Sequence, residues 1–253
     1  MGYLNGCWNR VFLALIVGLL AGPLFCHAEE PAAGKQVEQQ LQIGGRDVGY
    51  LLYLPDGYEA GQSVPLMLFL HGRGESNGPL SLVKKWGPPR NVEHGDPLPY
   101  IVVSPQCPRE DSWSSDTQQE LLLKLLDHIL ANFSVDADRV YLTGLSMGGF
   151  GSWRLAADHP ERFAAVAPIC GRGNPQRADK LKNLPIWAWH GDKDGAVPFS
   201  ASVDMVEAIR QAGGTKVRFT SLEEIGHNSW SAAYSSPELY DWFNKQTISG
   251  NRQ

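Results

Sequence analysis

Residues 140–153 read VYLTGLSMGGFGSW. Val140–Thr143 is a short apolar run of the kind that fills a buried strand. Gly144-Leu145-Ser146-Met147-Gly148 is a G-x-S-x-G pentapeptide, and Gly149 follows it. Phe150-Gly151-Ser152-Trp153 then opens an amphipathic helical pattern. The pentapeptide alone means little in a chain with 27 glycines. Strand, sharp turn and helix in direct succession is the setting that makes it informative. Such a turn holds the serine in strained dihedrals. Glycine at the flanking positions lets the strand and helix backbones pass closely. The Ser146 hydroxyl is then expected at the carboxyl edge of a sheet, above the N-terminus of its own helix. The Met147 amide would face any oxyanion formed there.

Outward from this stretch, apolar runs alternate with helical patterns. Gln36–Ile43 and Asp47–Leu54 flank Gly44-Gly45, a β-hairpin signature. Pro65–Leu70, Tyr100–Ser104, Phe163–Pro168, Ile186–Trp189 and Lys216–Leu222 read as further strands. Asp116–Phe133 carries Leu121, Leu122, Leu125, Leu126, Ile129, Leu130 and Phe133 on one helical stripe. Asp116 and Gln119 stand at capping-box spacing. Ser200–Ala212 reads as a helix closed by Gly213-Gly214, and Pro237–Lys245 as a last helix. Between 76 and 98, Pro88-Pro89 and Pro97 are expected to break any helix. The alternation predicts an α/β fold: one mostly parallel sheet covered by helices on both faces, over residues 37–247. Residues 29–36 read as a linker and 248–253 as a tail.

An activated serine needs a base, and the base needs an acid to hold its tautomer. In folds with this turn the chain order is Ser, Asp or Glu, His. His227, in Gly226-His227-Asn228 after the last strand, fits the base. His190 ends a strand ahead of the acid region and does not. Asp194 and Asp192 both follow the Ile186–Trp189 strand, where the acid belongs. Asp194 is favoured, with Asp192 as a turn-forming, amide-capping carboxylate. Glu223 and Glu224 are remote alternatives on the strand into the His227 loop. His71-Gly72-Arg73-Gly74 fills the place of the second oxyanion loop, with the Arg73 amide as donor. The Arg73 side chain could instead pair with Glu75, and His71 reads as a structural histidine of that loop.

The chain has 253 residues, 43% hydrophobic and 19% charged, with a formal net charge of −5. That composition is ordinary for a globular domain. It offers no basic field to hold a phosphate backbone, so nucleic-acid binding is not expected. Val11–Gly22 is an apolar run ended by Pro23, and Cys26-His27-Ala28 puts small residues at −3 and −1 of a cleavage site. Residues 1–28 therefore read as a signal peptide cleaved near Ala28, placing the protein in the periplasm or outside the cell. The run is short for a membrane anchor of about 20 residues. Phe25 is large for a residue before a lipidated Cys26. Cleavage takes the net charge to −6, since Arg10 is the one charged residue removed. It leaves Cys107 and Cys170, whose pairing stays open. Neither has metal-ligand spacing to another Cys or His.

HGRGE, PQCP, GLSMGG, PICG, HGDKDGAVP and GHNSW together resemble the α/β-hydrolase superfamily. Within it they resemble small secreted carboxylesterases, with similarity to polyhydroxyalkanoate-depolymerase-like and feruloyl-esterase-like proteins. The resemblance spans about residues 37–245. It implies Ser146 as nucleophile, Asp194 as acid, His227 as base, the Arg73 and Met147 amides as oxyanion donors, and no metal or organic cofactor. Lids in this fold usually follow the strand after the nucleophile helix. Here only Gly171–Leu184 is available, a short stretch read as lacking an apolar face. An open site with a minimal lid is expected, suited to bulky or polymer-attached esters. Trp113, Trp187, Trp189 and above all Trp230 are candidate walls. Arg172, Asn174, Arg177 and Lys180 read as a solvated face. Two other functions compete: a serine peptidase of the prolyl-oligopeptidase type, and a binding protein on a hydrolase scaffold. The oligomeric state is not legible.

Overall fold

The computed structural model describes residues 1–2, 32–76 and 78–252. The signal-peptide segment falls almost wholly outside the described residues. Eight strands form one sheet: β1 (Gln36–Ile43), β2 (Arg46–Tyr53), β3 (Val64–Leu70), β4 (Ile101–Pro105), β5 (Val135–Leu145), β6 (Ala165–Ile169), β7 (Ile186–Gly191) and β8 (Val217–Leu222). Their spatial order is β1-β2-β4-β3-β5-β6-β7-β8. The β1–β2 and β2–β4 pairs are antiparallel, and all later pairs are parallel. Helices α1 (Gly87–Glu93), α2 (Asp116–Asn132), α3 (Met147–Asp158), α4 (Ser200–Gln211), α5 (Trp230–Ser235) and α6 (Pro237–Phe243) cover it. This is the α/β-hydrolase fold.

The central strands of the sheet are buried on both faces, and strand alternation sorts their side chains into two cores. Leu66, Leu68, Leu70, Ile101, Val103, Val140, Leu142, Val166, Ile186 and Ala188 face one side. There they meet Leu122, Leu125, Leu126 and Ile129 of α2, Trp153 of α3, and Met205, Val206 and Ile209 of α4. Met67, Phe69, Val102, Tyr141, Ala165, Ala167 and Ile169 face the other. Their partners are Ala233 and Tyr234 of α5 and Leu239, Trp242 and Phe243 of α6. Among the described residues no helix is long and apolar enough to cross a membrane.

Three local expectations are corrected. The cap of α2 is Ser115, whose side chain accepts from the Gln118 amide. Gln119 instead turns inward and donates to the Trp113 carbonyl. Pro88-Pro89 open a helix rather than break one, because the first turn has no use for their missing amide protons. Pro175–Leu181 is a 3-10 turn that buries Ala178 and Leu181, so the stretch between β6 and β7 does carry an apolar face.

Cys107 and Cys170 are free, buried thiols. β4 and β6 are separated by β3 and β5, a span of about 14 Å at the usual strand spacing. A disulfide needs Cα atoms within about 7 Å.

Leu142 is fully buried, in register with Leu68 on one side and Val166 on the other. Leu142→Ala should lower stability by about 2–5 kcal/mol, read as a lower urea midpoint with an unchanged slope.

Candidate active site

Ser146 joins β5 to α3 at φ 53°, ψ −116°, a left-handed φ that a non-glycine residue adopts only under constraint. The constraint is a backbone crossing. A Cβ on Gly148 would stand 1.9 Å from the Leu70 carbonyl oxygen at the end of β3. One on Gly149 would stand 2.6 Å from the Ile169 carbonyl oxygen at the end of β6. The first turn of α3 is thus seated between two strand ends, and only glycine fits at either contact. The Ser146 amide donates to the Ile169 carbonyl at 2.9 Å, fixing the turn.

The three residues expected to act together do meet. His227 Nε2 lies 2.9 Å from Ser146 Oγ, and His227 Nδ1 lies 2.7 Å from Asp194 Oδ2. Asp194 Oδ1 accepts from the Ala196 and Val197 amides at 2.8 and 2.9 Å. Burial would raise this carboxyl, but the hydrogen bonds from His227 and the two amides outweigh it and hold it below the usual range. The acid and base loops are also laced by backbone. The Asp192 amide donates to the Leu222 carbonyl and the Lys193 amide to that of Ile225. A Cβ on Gly191 would stand 2.2 Å from the Ile225 carbonyl oxygen, so Gly191 permits this crossing.

Asp192 is not the amide cap expected of it. Its Oδ1 is buried and takes no hydrogen bond, while Asp194 caps the turn. Glu223 and Glu224 are exposed, and Glu224 pairs with Lys193 at the surface.

The His71–Gly74 loop is built onto the segment after β4. His71 Nε2 accepts from the Cys107 amide at 2.9 Å, so the ring proton sits on Nδ1 and is donated to the Gly72 carbonyl. Trp113 Nε1 donates to the His71 carbonyl, and Gln106 Nε2 to that of Glu75. The Arg73 guanidinium donates to the carbonyls of Arg109 and Asp111 rather than pairing with Glu75. Glu75 is buried, and its carboxyl is pushed up by that burial. The Arg73 and Met147 amides donate to no protein acceptor among the described residues. Each begins a helical turn, where amides have no intrahelical partner.

Of the tryptophans, Trp230 reaches the site, edge-on to His227 with ring centroids 5.2 Å apart, and Trp86 packs against it. Trp113 is core, and Trp187 and Trp189 stack on each other in the second core. Arg172 and Lys180 are exposed, while Arg177 pairs with Asp158. Arg172 and Arg177 also line a cavity of about 390 Å³ with Phe150, Trp153 and Met205. For a metal, donor atoms of Cys170, Asp194 and His227 lie within 4.8 Å of one another. All of these but the thiol already serve the Ser146–His227–Asp194 chain, and burial pushes that thiol up to about 12.

Sequence reasoning missed Trp86, which packs on Trp230, and a second histidine on Asp194. His190 is fully buried with Nε2 3.0 Å from Asp194 Oδ2. Its place in HGDKDGAVP, four residues before Asp194, was the available signal.

Two outcomes follow from this geometry. Gly148→Ala must displace the backbone of β3, and a loss on the order of 2–4 kcal/mol in urea unfolding is expected. Gly74→Ala meets nothing within 4 Å and should be near neutral. Burial lowers His71 from 6.5 to about 4. Its folded value lies below the unfolded one, so the stability it adds is complete above 6.5 and is lost as pH falls towards 4. Between pH 7 and 4.5 the free energy of unfolding should fall by about 2 kcal/mol on this account, and His71→Asn should flatten that dependence.

A family model described as "Putative esterase" matches residues 42–228. "Putative esterase NocK" of Nocardia uniformis subsp. tsuyamanensis is 29% identical over 211 residues, covering 71% of this chain and 61% of that protein. "Probable feruloyl esterase C" of Aspergillus niger is 25% identical over 230 residues, covering 88% and 83%. A solved thermostable esterase superposes with a TM-score of 0.75 at 30% identity, covering 84% of this chain and 63% of that one. The chain thus spans less than two thirds of the Nocardia protein and of the thermostable esterase. With the family model matching most of the chain and the elbow, triad geometry and sheet order in place, the protein belongs to the esterase family that this model describes.

Proposed function

We propose that the protein is an exported serine carboxylesterase acting on bulky or polymer-attached esters. The observation that carries this is the unbroken chain from Ser146 Oγ through His227 to Asp194, at 2.9 and 2.7 Å, on a left-handed turn. Ser146 Oγ attacks the ester carbonyl while its proton passes to His227 Nε2. The amides of Arg73 and Met147 hold the resulting oxyanion. The C–O bond to the alcohol breaks, and His227 returns the proton to the departing alkoxide. Water then attacks the acyl-serine, again giving a proton to His227. Release of the acid restores the Ser146 hydroxyl. Asp194 stays ionised and steadies the imidazolium.

Two features support a bulky substrate. The β6–β7 stretch packs its apolar side chains, Ala178 and Leu181, inward instead of over Ser146. Trp86 and Trp230 offer an aromatic wall beside His227. Relatives named as feruloyl esterases, and a poly(3-hydroxyoctanoate) depolymerase of Pseudomonas fluorescens at 27% identity over 177 residues, point the same way. Export rests on residues 1–28, read as a signal peptide.

The test is hydrolysis of p-nitrophenyl acetate through octanoate by residues 29–253, beside Ser146→Ala and a peptide p-nitroanilide. Wild type should cleave the esters, and Ser146→Ala should lose at least about 10³-fold of the rate. Cleavage of the peptide without any ester would replace this reading by the peptidase.

A further inference from the structure

Asp194 Oδ2 is shared by two histidines. It lies 2.7 Å from His227 Nδ1 and 3.0 Å from His190 Nε2. An ionised carboxylate only accepts, so both ring nitrogens facing it carry protons. His190 Nε2 also lies 3.1 Å from the Val197 carbonyl, a second acceptor that demands the same proton. Burial holds His190 below its ordinary value, so the ring is neutral and Nδ1 is bare. Ser202 Oγ lies 2.7 Å from Nδ1 and 3.2 Å from the Gly171 carbonyl, and with Nδ1 bare its single proton goes to the nearer acceptor, Nδ1. Ser202, His190 and the Asp194 side chain are all fully buried.

We infer that Ser202 and His190 are positioning residues of the esterase site, extending the chain behind Asp194 and fixing the oxygen that His227 uses. The inference rests on the serine-esterase reading above. A histidine buried only to fill the core needs a partner for each ring nitrogen, but those partners need not be aligned. Here both are, in one line that ends at the base. Asp194 Oδ1 is already taken by two amides. Without His190, part of the acceptor capacity of Oδ2 goes unused in a site closed to water, and its aim at His227 rests on one bond. The donation also draws charge from Oδ2. Its loss leaves more negative charge facing the imidazolium, so the base gives up its proton at higher pH. The titratable groups facing this chain are Cys170 at the end of β6, Asp194 after β7 and His227 after β8. From α4 it is Ser202 that faces the ring, and Phe199 packs edge-on to it.

The experiment measures p-nitrophenyl acetate hydrolysis against pH for wild type, His190→Leu, His190→Gln and Ser202→Ala, with fluorophosphonate labelling of Ser146. His190→Leu should lower kcat by about 10–100-fold, the range for partners that orient a functional group, with KM within about twofold. The acid limb of kcat/KM should move to higher pH. Ser202→Ala should do the same to a smaller degree. The amide nitrogen of His190→Gln can stand where Nε2 stands and should recover most of the lost rate. A folded His190→Leu with wild-type kcat and acid limb overturns the inference. So does His190→Gln falling as far as His190→Leu at an equal melting temperature. Should His190→Leu not fold, ¹⁵N-histidine spectra of the wild type decide: a proton on Nδ1 and a bare Nε2 at His190 overturn it. Wild type that neither hydrolyses the ester nor takes the label sinks the serine-esterase reading instead.

Discussion

The seating of the first turn of α3 between the Leu70 and Ile169 carbonyls governs the geometry of the whole site. Gly148 and Gly149 bring the backbones into contact, and that contact leaves Ser146 no conformation but a left-handed one. Such a residue costs about 1–3 kcal/mol and persists only where its surroundings over-determine it. Here β3 and β6 are fully buried around it, so the strain is offset by packing that does not depend on the serine. The same contact makes Met147 the first residue of α3, its amide free of any intrahelical partner. Strain at the serine and an unpaired amide beside it are therefore consequences of one close approach.

The remaining parts come from three other loops, each fixed by its own lacing. Asp194 and His227 are 33 residues apart, yet the backbone bonds between 192–193 and 222–225 hold their loops together. The oxyanion loop leans on the segment after β4 through His71, Trp113 and Gln106. In each case a buried polar group meets a directional partner, and this is what lets ionisable chemistry sit in a nearly dry interior. Asp194 is the extreme case: its carboxylate is closed to water, but donors surround it and keep it ionised.

The fold and the meeting of Ser146, His227 and Asp194 were legible because they follow from patterns that are local in sequence. Two-residue alternation fixes which face each strand side chain meets, and the G-x-S-x-G turn announces its own crossing. Asp194, His227 and the loop of Arg73 follow from chain order on that fold. What stayed hidden depends on contacts distant in sequence. The inward turn of Gln119 is set by Trp113, and Ala178 and Leu181 are buried by packing that composition does not reveal. The Pro88-Pro89 error was of another kind: proline ends helices from within but opens them from the first turn, and the start of α1 carried no other mark. His190 fits no base role by chain order, and a histidine behind the acid shows itself only through Ser202, on another element, lying beside it.

Burial falls along the chain from Ser202 to Ser146. Ser202, His190 and the Asp194 carboxylate are closed to solvent, the His227 side chain is 27% exposed, and Ser146 is half-buried. The gradient has a physical use. At the inner end low dielectric strengthens each hydrogen bond and leaves no water to compete for Asp194. At the outer end, on the proposed mechanism, the base must exchange protons with an alcohol and then with water, which a sealed site would forbid. An open front with a dry back lets both requirements hold in one chain of five side chains. It also says where substitutions should be felt differently: at the back through geometry and pH, at the front through the substrate itself.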